Sequence, residues 1–392
     1  MPEITPSFVF EYERNMRANT ENEYIRRLLA KNIWWNKVMR TMPIEGRTER
    51  VTWILNTAMI EPVGPTGSGD LTFEGMVTQT VEYPTFRHGK GIVVQRDQIE
   101  DLDGKGLDML GEWSSQIGNE IAYYPQRLCT QLLLNGAASD GSANAYDGIR
   151  FFADNTTNVV GGVNVKGHPY NPFRPTLGGY QNWLHGAASG SYIGAQAIDD
   201  SVSPDVALVN LAKVISFIAG VKMPNGVDPR FLTPSFILAP PRMAPRLRQL
   251  TDAKFLAQAA SGGAGSGDVK ALIEGWGLGT PLIAQELGAN FSYTFNMPFQ
   301  VVSTGDTTFL PETVTGSDTS WYVVCEEMRT TQLGGLLLVQ RKPFKVNYYT
   351  GDSGGTAMTA ELDRANKFEY HVQGRMAAQF GHPYTIFRVD AS

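Results

Sequence analysis

Several features that would indicate a metal-binding, secreted or membrane protein are scarce or missing in this chain of 392 residues. It has two cysteines, Cys129 and Cys325, and neither forms a Cys-x-x-Cys pair or lies near a histidine at ligand spacing, which argues against a zinc site. Both lie in apolar runs and are interpreted as buried free thiols in a reducing cytoplasm. No apolar run reaches the roughly 18–20 residues of a membrane helix, and the N-terminus lacks a signal-peptide pattern. We therefore expect a soluble protein made inside a cell, with no membrane partner.

Charged groups are also few and show no strong excess of either sign. They make up 18% of the chain, against roughly 25% in typical globular proteins, and the net charge is −6. The basic clusters at 242–248 and 364–367 are interpreted as solvated faces, not as a patch that grips nucleic acid. Low surface charge fits a chain that buries much of its exterior against copies of itself. A Gly- and Thr-rich protein with long loops would show the same composition.

No combination of residues typical of a catalytic site stands out. The five histidines are scattered, with no His at i+4 and no framing Glu. Glu326/Glu327 and Glu361/Asp363 are carboxylate neighbours in sequence only, which is typical of a solvated edge. The run 351–355, Gly-Asp-Ser-Gly-Gly, resembles the nucleophile segment of chymotrypsin-like proteases, but their other landmarks are absent and a turn explains it. We predict no catalytic residue, no cofactor-binding residue, no metal site and hence no enzyme.

The first half of the chain predicts an arm, a hairpin and a long helix. Residues 19–39 carry apolar side chains at helical spacing. The β-branched and aromatic runs 51–55 and 76–83 flank the turn-forming tract 64–70, which predicts a long hairpin with too few apolar residues near its tip to bury itself. After a third strand at 91–95, an apolar stripe from Leu107 to Leu132 predicts a helix on the order of 40 Å long, kinked at Pro125.

Aromatic and turn residues of the arm and the hairpin are candidate contacts with a neighbouring chain. Trp34 and Trp35 are adjacent, so they project from different faces and cannot both pack on one side. An exposed aromatic pair favours an inter-chain contact, and a helix packed on its own domain is the alternative. Trp53 and Phe73 lack interleaved Lys or Arg and are interpreted as packing residues, not base-stacking ones. The predicted inter-subunit contacts are Trp34, Trp35, Trp53, Pro65, Gly67 and Phe73.

The second half predicts an irregular segment followed by an α/β unit. Residues 135–200 are rich in Gly, Asn, Ser and Pro and predict a loop of a length that is uncommon in compact domains. Ser203-Pro204 predicts a helix start, 235–239 a short buried strand and 243–258 a second helix. The tract 261–267 predicts a flexible loop without the pattern of a phosphate-binding loop. Further strands are predicted at 320–325, 335–340, 344–349, 367–374 and 385–389.

Several segments, in a shared order, resemble the Mu-like major head subunit family of tailed phages. The most informative is 146–155, Tyr-Asp-Gly-Ile-Arg-Phe-Phe-Ala-Asp-Asn, which closely follows an apolar helix end at 131–136. The segments 92–101, 234–250, 321–324 and 340–344 also resemble that family. The matches are spread over about residues 50–390, and their order is more specific than any one of them. The chain departs from the family at 156–200, an insertion expected to decorate the outer surface or contact the next capsomer.

The resemblance implies an α+β fold, the Hong Kong 97-like capsid fold. Its parts would be an N-terminal arm, an extension-loop hairpin, a peripheral domain with a long spine helix and an inserted loop, an axial domain, and C-terminal strands that return to the peripheral domain. In the same order, their predicted bounds are 1–50, 51–95, 96–200, 201–334 and 335–392.

By the same resemblance, the chain is expected to be a major capsid protein. It would self-assemble into hexamers and pentamers of an icosahedral phage head that encloses double-stranded DNA without sequence-specific binding. Its partners would be copies of itself, with scaffold, portal and decoration proteins as further candidates. Its location would be the virion capsid, after assembly in the host cytoplasm. Two alternatives stay open: an encapsulin-like compartment with a protein cargo, and a hydrolase that uses the carboxylates named above.

Overall fold

Helices and strands are interspersed along the chain, and the fold is α+β, as predicted. The computed structural model describes residues 6–28, 33–54, 78–95, 105–139, 143–190, 192–251, 278–300, 307–327, 334–349 and 367–391. Its helices are α1 (Pro6–Leu28), α2 (Trp35–Val38), α3 (Lys105–Asn135), α4 (Pro204–Ala219) and α5 (Ala244–Thr251). Its strands are β1 (Met39–Pro43), β2 (Thr48–Ile54), β3 (Thr78–Pro84), β4 (Phe86–Gln95), β5 (Thr157–Val160), β6 (Val163–Lys166), β7 (His168–Pro169), β8 (Gly179–Tyr180), β9 (Trp183–Leu184), β10 (Pro234–Ala239), β11 (Leu282–Ile283), β12 (Ser292–Gln300), β13 (Thr307–Thr315), β14 (Ser320–Cys325), β15 (Leu336–Tyr349), β16 (Lys367–Phe380) and β17 (Ile386–Asp390).

A four-stranded sheet in the order β1-β15-β16-β4 packs against the long helix α3. The two strands predicted at 335–340 and 344–349 are one 14-residue strand, β15. Its pairing with β16 shifts register between Gln340 and Lys345, and Pro343 lies inside this irregular stretch. Because proline has no N–H to donate to a ladder, it is tolerated where the pairing is already interrupted. The gap predicted between the two strands is therefore an irregular stretch within one strand.

A five-stranded sheet in the order β11-β10-β14-β17-β9 is buried on both faces. Every residue of β14 is buried. Alternate residues of its strands point to opposite sides: Tyr322 and Val324 face the end of α3, whereas Trp321 and Val323 face α4 and α5. Burial on both faces explains why these strands are continuous apolar runs without polar alternation. The helix predicted at 243–258 is present from Ala244 to Thr251, and the rest of that range lies outside the described residues.

The two sheets share one core at the C-terminal half of α3. Leu128, Leu132 and Leu133 of that helix lie in one cluster of buried residues with Leu338 of the four-stranded sheet and Tyr322 of the five-stranded sheet. The two cysteines are free and buried, as predicted. Burial raises the pKa of the thiols of both, so each is a protonated apolar side chain.

The prediction of one long unstructured loop at 135–200 was wrong. The segment contains β5 to β9, and β9 joins the five-stranded sheet beside β17. Buried Asn182 fixes it: its Oδ1 accepts a hydrogen bond from the Ala153 amide at 2.8 Å, and its Nδ2 donates to the carbonyls of Phe151 at 2.7 Å and Pro383 at 2.8 Å. Strands of two to four residues are too short to show a sequence period, which is why the pattern missed them. The supposed insertion is thus packed into the body of its own chain.

The Tyr-Asp-Gly motif at 146–148 is a turn held by a buried hydrogen bond between Asp147 and His168. Asp147 Oδ1 accepts a hydrogen bond from the Ile149 amide at 3.1 Å, and Gly148 has φ 76°, which favours glycine. His168 Nδ1 lies 2.7 Å from Asp147 Oδ2, and its Nε2 lies 3.0 Å from the Phe151 carbonyl. Both ring nitrogens therefore contact an acceptor oxygen, and the ring links the turn to the Phe151 carbonyl. The motif that carries the family resemblance therefore has a structural role in the fold.

We expect Asp147→Asn and His168→Gln each to lower the free energy of unfolding by about 1–3 kcal/mol, because each leaves a buried polar group without its partner. Urea unfolding followed by circular dichroism measures this. Arg17→Gln, which removes an ion pair exposed by more than half on both sides, is the control and should change stability by less than about 1 kcal/mol. An effect of His168→Gln no larger than that of the control would contradict a stabilising role for this hydrogen bond.

Candidate inter-subunit surfaces

The hairpin β2–β3 is anchored to the body along its inner half, where Val51 and Tyr83 lie in a buried cluster with Leu337 and Val339 of β15. Its strands pair in register from Thr48 opposite Pro84 to Ile54 opposite Thr78, and no third strand joins them among the described residues. At the root, Tyr83 is 3% exposed and its hydroxyl donates to the Phe380 carbonyl at 3.1 Å. Further out, Thr52, Thr78 and Thr80 are exposed. Because a two-stranded ribbon is marginally stable by itself, its exposed outer part is a candidate surface for contact with another chain.

Four predicted contact residues belong to this hairpin. Trp53 lies on β2 opposite Gln79, and the placement of its side chain lies outside the description. Pro65, Gly67 and Phe73 fall in 55–77, which lies outside the described residues. The contacts of these four residues with a neighbouring chain stay predictions.

The arm docks on its own chain through a narrow polar contact. The helix predicted at 19–39 is instead α1, which ends at Leu28, followed by the four-residue α2. Among the described side chains of α1, only Thr20 is buried, and its hydroxyl donates to the Ser114 carbonyl at 3.1 Å and lies 2.7 Å from the Tyr370 hydroxyl. A Cβ on Gly118 of α3 would lie 2.6 Å from the Thr20 carbonyl oxygen, so glycine permits this close crossing. Little apolar area holds the described part of α1 in place.

The prediction of an exposed tryptophan pair was wrong. Trp34 is 2% exposed and lies in the shared core, where its amide donates to Gln126 Oε1 at 3.0 Å and its indole Nε1 donates to Glu286 Oε2 at 3.3 Å. Gln126 Nε2 also donates to Glu286 Oε1. Glu286 is distant in sequence, so no local pattern could show this partner. Trp34 therefore makes its contacts within its own chain. Trp35 is partly buried against the same core, and its contact with a neighbouring chain stays a prediction.

A groove of about 420 Å³ lies between α3 and the four-stranded sheet. Trp113, Ile117, Tyr124 and Phe344 are among its apolar and aromatic lining residues. The Tyr124 hydroxyl donates to His88 Nδ1 at 2.7 Å, while His88 Nε2 donates to the Met376 carbonyl at 3.0 Å. Burial lowers the pKa of His88 and raises the pKa of Tyr124 to about 12, so both are neutral at pH 7. The groove offers apolar surface and one neutral hydrogen-bonded pair.

The carboxylates named as an enzyme alternative do not form a site in the described part of the chain. Glu326 is exposed, and Glu327 Oε1 accepts a hydrogen bond from the Thr233 amide at 2.9 Å. Ser353, Glu361 and Asp363 lie outside the described residues. No group of three or more His, Cys, Asp or Glu that could hold a metal ion occurs among the residues with described positions. Over those same residues, no helix has the length and apolar character to span a membrane.

The sequence analysis did not single out a second hairpin, β12–β13. Its two nine-residue strands pair in register from Ser292 opposite Thr315 to Gln300 opposite Thr307. Phe291, at its root, is 42% exposed. The sequence did contain a signal for this hairpin. The turn-forming run 303–306, Ser-Thr-Gly-Asp, has threonine and aromatic residues on both sides. The described chain thus carries two long ribbons outside its larger sheets.

No family model matches the sequence, and no curated protein matches it either. Among solved structures, the chain is similar to the capsid structure of the cyanophage P-SCSP1u, with 13% identity over 91% of this chain and 86% of that one and a TM-score of 0.47. It is also similar to the asymmetric unit of the mature capsid of bacteriophage PhiM1, with 10% identity over 92% and 87% of the two chains and a TM-score of 0.48. A virus-like particle from Pyrococcus furiosus aligns with 12% identity over 97% of this chain and 100% of that one, at a TM-score of 0.43.

We expect Gly118→Ala to detach α1 from α3, because the added Cβ would meet the Thr20 carbonyl. Gly111→Ala is the matched control on the same helix, since a Cβ there has nothing within 4 Å. Its only expected effect is a small gain in helix stability of about 0.5–1 kcal/mol. Limited proteolysis with mass spectrometry should show faster cleavage within 6–28 in Gly118→Ala alone. Equal cleavage in both variants would contradict the close crossing.

Acidification from pH 7 to 5 is expected to destabilise the fold. Burial lowers the pKa of His88 and holds that of His382 well below its usual range, with the nearby Arg230 adding to the shift of His382. In this pH range, these two histidines therefore bind protons in the unfolded chain but not in the folded chain. The free energy of unfolding should fall with pH below about 6.5, by up to about 1.4 kcal/mol per pH unit for each such histidine.

The His382→Gln variant tests this pH dependence. In urea unfolding at pH 7.5, 6.0 and 5.0, the free energy of unfolding of this variant should fall less steeply with decreasing pH than that of the wild type. An unchanged slope would contradict the contribution of His382.

Proposed function

We propose that this chain is a major capsid protein with the Hong Kong 97-like fold, which self-assembles into the hexamers and pentamers of an icosahedral phage head. The observation that carries the proposal is the hairpin β2–β3, buried along its inner half and exposed beyond it, and placed between an N-terminal arm and a long helix, in the order that the sequence resemblance implies. A hairpin that buries only part of itself gains stability by lying across a neighbour.

The observed elements support a division into the parts that the resemblance implies. The arm corresponds to α1, α2 and β1, and the extension loop to β2 and β3. The peripheral domain corresponds to α3 with the four-stranded sheet, and the axial domain to the five-stranded sheet with α4 and α5. The axial domain also takes β9 and β17 from outside 201–334, because both strands pair into its sheet.

Physical requirements of a shell also support this function. Each subunit of a ring or shell needs different surfaces that meet head to tail, so contacts repeat until the ring closes. Each contact can be weak, since many form at once. The narrow docking of α1 and the root-anchored hairpin are surfaces of this kind. A net charge of −6 suits a container for double-stranded DNA that does not grip its contents. Scaffold, portal and decoration proteins are further proposed partners, and assembly is proposed to occur in the host cytoplasm.

An encapsulin-like compartment is the second candidate. The groove between α3 and the four-stranded sheet favours it, because an apolar groove of about 420 Å³ is large enough for side chains of a cargo peptide. The two candidates differ in what the particle holds. Nuclease-protected DNA in particles from the native source would support the phage head, and a single co-purifying protein cargo would support the compartment.

We expect the purified protein to form rings of five or six subunits or closed shells, visible by negative-stain microscopy after size-exclusion chromatography. Deleting 64–70 should leave a folded subunit, by circular dichroism, that assembles poorly because the hairpin no longer reaches its neighbour. Glu82→Gln is the control, since it removes only the exposed ion pair with Arg50 and should assemble normally. Normal shells from the deletion variant would mean that the hairpin is not an inter-subunit clamp.

A wild-type protein that stays a homogeneous monomer at high concentration would contradict self-assembly as proposed here. The deletion and control variants would then add no information on the hairpin.

A further inference from the structure

Phe231 has a strained backbone and an exposed ring. Its φ is 55°, the sole positive φ of a non-glycine residue within the described ranges, and the residue is 75% exposed. The preceding residue is held by two contacts: the Arg230 amide donates to the Val221 carbonyl at 2.9 Å, and the Arg230 guanidinium stacks 3.6 Å over the Tyr384 ring. A bulky residue in the left-handed region costs free energy, and such strain is concentrated at functional positions. The fold therefore holds an aromatic ring in solvent at a cost to its own stability.

Phe231 belongs to an apolar surface made by three touching segments, which we call the ridge: 157–166, 171–177 and 221–231. A Cβ on Gly161 would lie 3.8 Å from Pro175 Cγ, and one on Gly226 would lie 3.0 Å from Leu177 Cβ, so the segments are in contact. The ridge exposes four large apolar side chains: Val159 (72%), Phe173 (55%), Val227 (68%) and Phe231 (75%). Concentrated exposure of this kind marks an interaction surface.

The charge of the ridge is opposite to that of the rest of the chain. It carries four cations and one carboxylate, a net charge of +3, whereas the whole chain carries −6, so the remainder carries −9. Arg174 and Lys222 are the exposed cations of the ridge. A positively charged apolar surface on an acidic chain finds its electrostatic complement in a second copy of that chain.

A second surface of the same chain has the matching character. On α4, Val206 is 46% exposed and Val209 is 53% exposed, and the exposed carboxylates Asp200 and Asp205 flank them. Asp200 lies 3.8 Å from Arg242, but both side chains are more than half exposed, so this pair holds the carboxylate weakly. We call this surface the α4 face. Six of the nine large apolar residues exposed in the described structure lie on the ridge or the α4 face.

The two surfaces cannot meet within one chain. The α4 face lies at the N-terminal end of α4, and the ridge segment 221–231 begins just after its C-terminal end. The rigid helix between Val206 and Gly220 separates them by about 20 Å. Their apolar and charge complementarity is therefore available only between copies.

We propose that the ridge of one copy docks on the α4 face of a second copy, with Phe231 and Val227 against the exposed valines. This inference rests on the proposed function as a shell subunit and names one of its contacts. Because the ridge and the α4 face are different surfaces, the contact is head to tail and repeats around a ring. Arg174 and Lys222 then lie near the carboxylates of the neighbour.

The first test separates docking from folding at one position. Phe231→Asn removes the ring and relieves the strain, because asparagine tolerates a positive φ. The midpoint of thermal unfolding of the free subunit should stay unchanged or rise. The concentration for half-assembly, measured by sedimentation velocity, should rise at least ~10-fold, as for a central interface aromatic. Val93→Asn, at an exposed valine of β4 outside both surfaces, is the control and should assemble as the wild type does.

The second test swaps charges. Asp205→Lys and Lys222→Glu should each weaken assembly, and the double variant Asp205→Lys/Lys222→Glu should recover it, since each contact then again joins opposite charges. Wild-type assembly by Phe231→Asn and by both single charge variants would overturn the inference and leave the proposed function standing. A double variant no better than the singles would also overturn it. A monomeric wild type would overturn both the inference and the proposed function.

Discussion

The fold depends on one shared core at the C-terminal half of α3. Its leucines pack on the four-stranded sheet on one side and the five-stranded sheet on the other, so a single helix fixes how the two sheets are joined. Glu286 strengthens this joint, because its carboxylate accepts hydrogen bonds from Trp34 and Gln126, which come from the arm, between α1 and α2, and from α3. A partly buried carboxylate gains from being hydrogen-bonded, so these three residues hold one another in place.

Outside this core, the chain extends segments that bury little of themselves. The described part of α1 buries one side chain, β2–β3 is fixed only along its inner half, and the ridge holds Phe231 in a strained, exposed position. In an isolated enzyme such features would lower the stability of the fold and bring no functional benefit. In a subunit that closes rings with its copies, they supply different surfaces for head-to-tail contacts. In such a subunit, contacts between copies also explain why charges are few although the apolar core is ample.

Strong local patterns predicted much of the fold. The apolar stripe of α3, the cap at Ser203 and the apolar runs of β10 and β14 each appear where the sequence placed them. The candidate inter-subunit contacts were harder to predict, because the exposure of a side chain depends on partners that are distant in the sequence. Trp34 was expected in solvent and is buried, since its indole finds Glu286 more than 250 residues away. The ridge went unnoticed because its three segments are separated in the sequence and touch only after folding.

The sequence by itself determined the fold class, the order of the main elements and the family resemblance, because periodicity, caps and turn residues act over a few neighbouring positions. Tertiary structure decided that 143–200 is packed and not a loop, that the Tyr-Asp-Gly motif is a turn pinned by His168, and which apolar residues remain in solvent. The physical reason is the separation of the interacting residues along the chain. Burial and hydrogen-bond partners are set by segments far apart in the sequence, and a local sequence pattern does not show which distant group will pack against it.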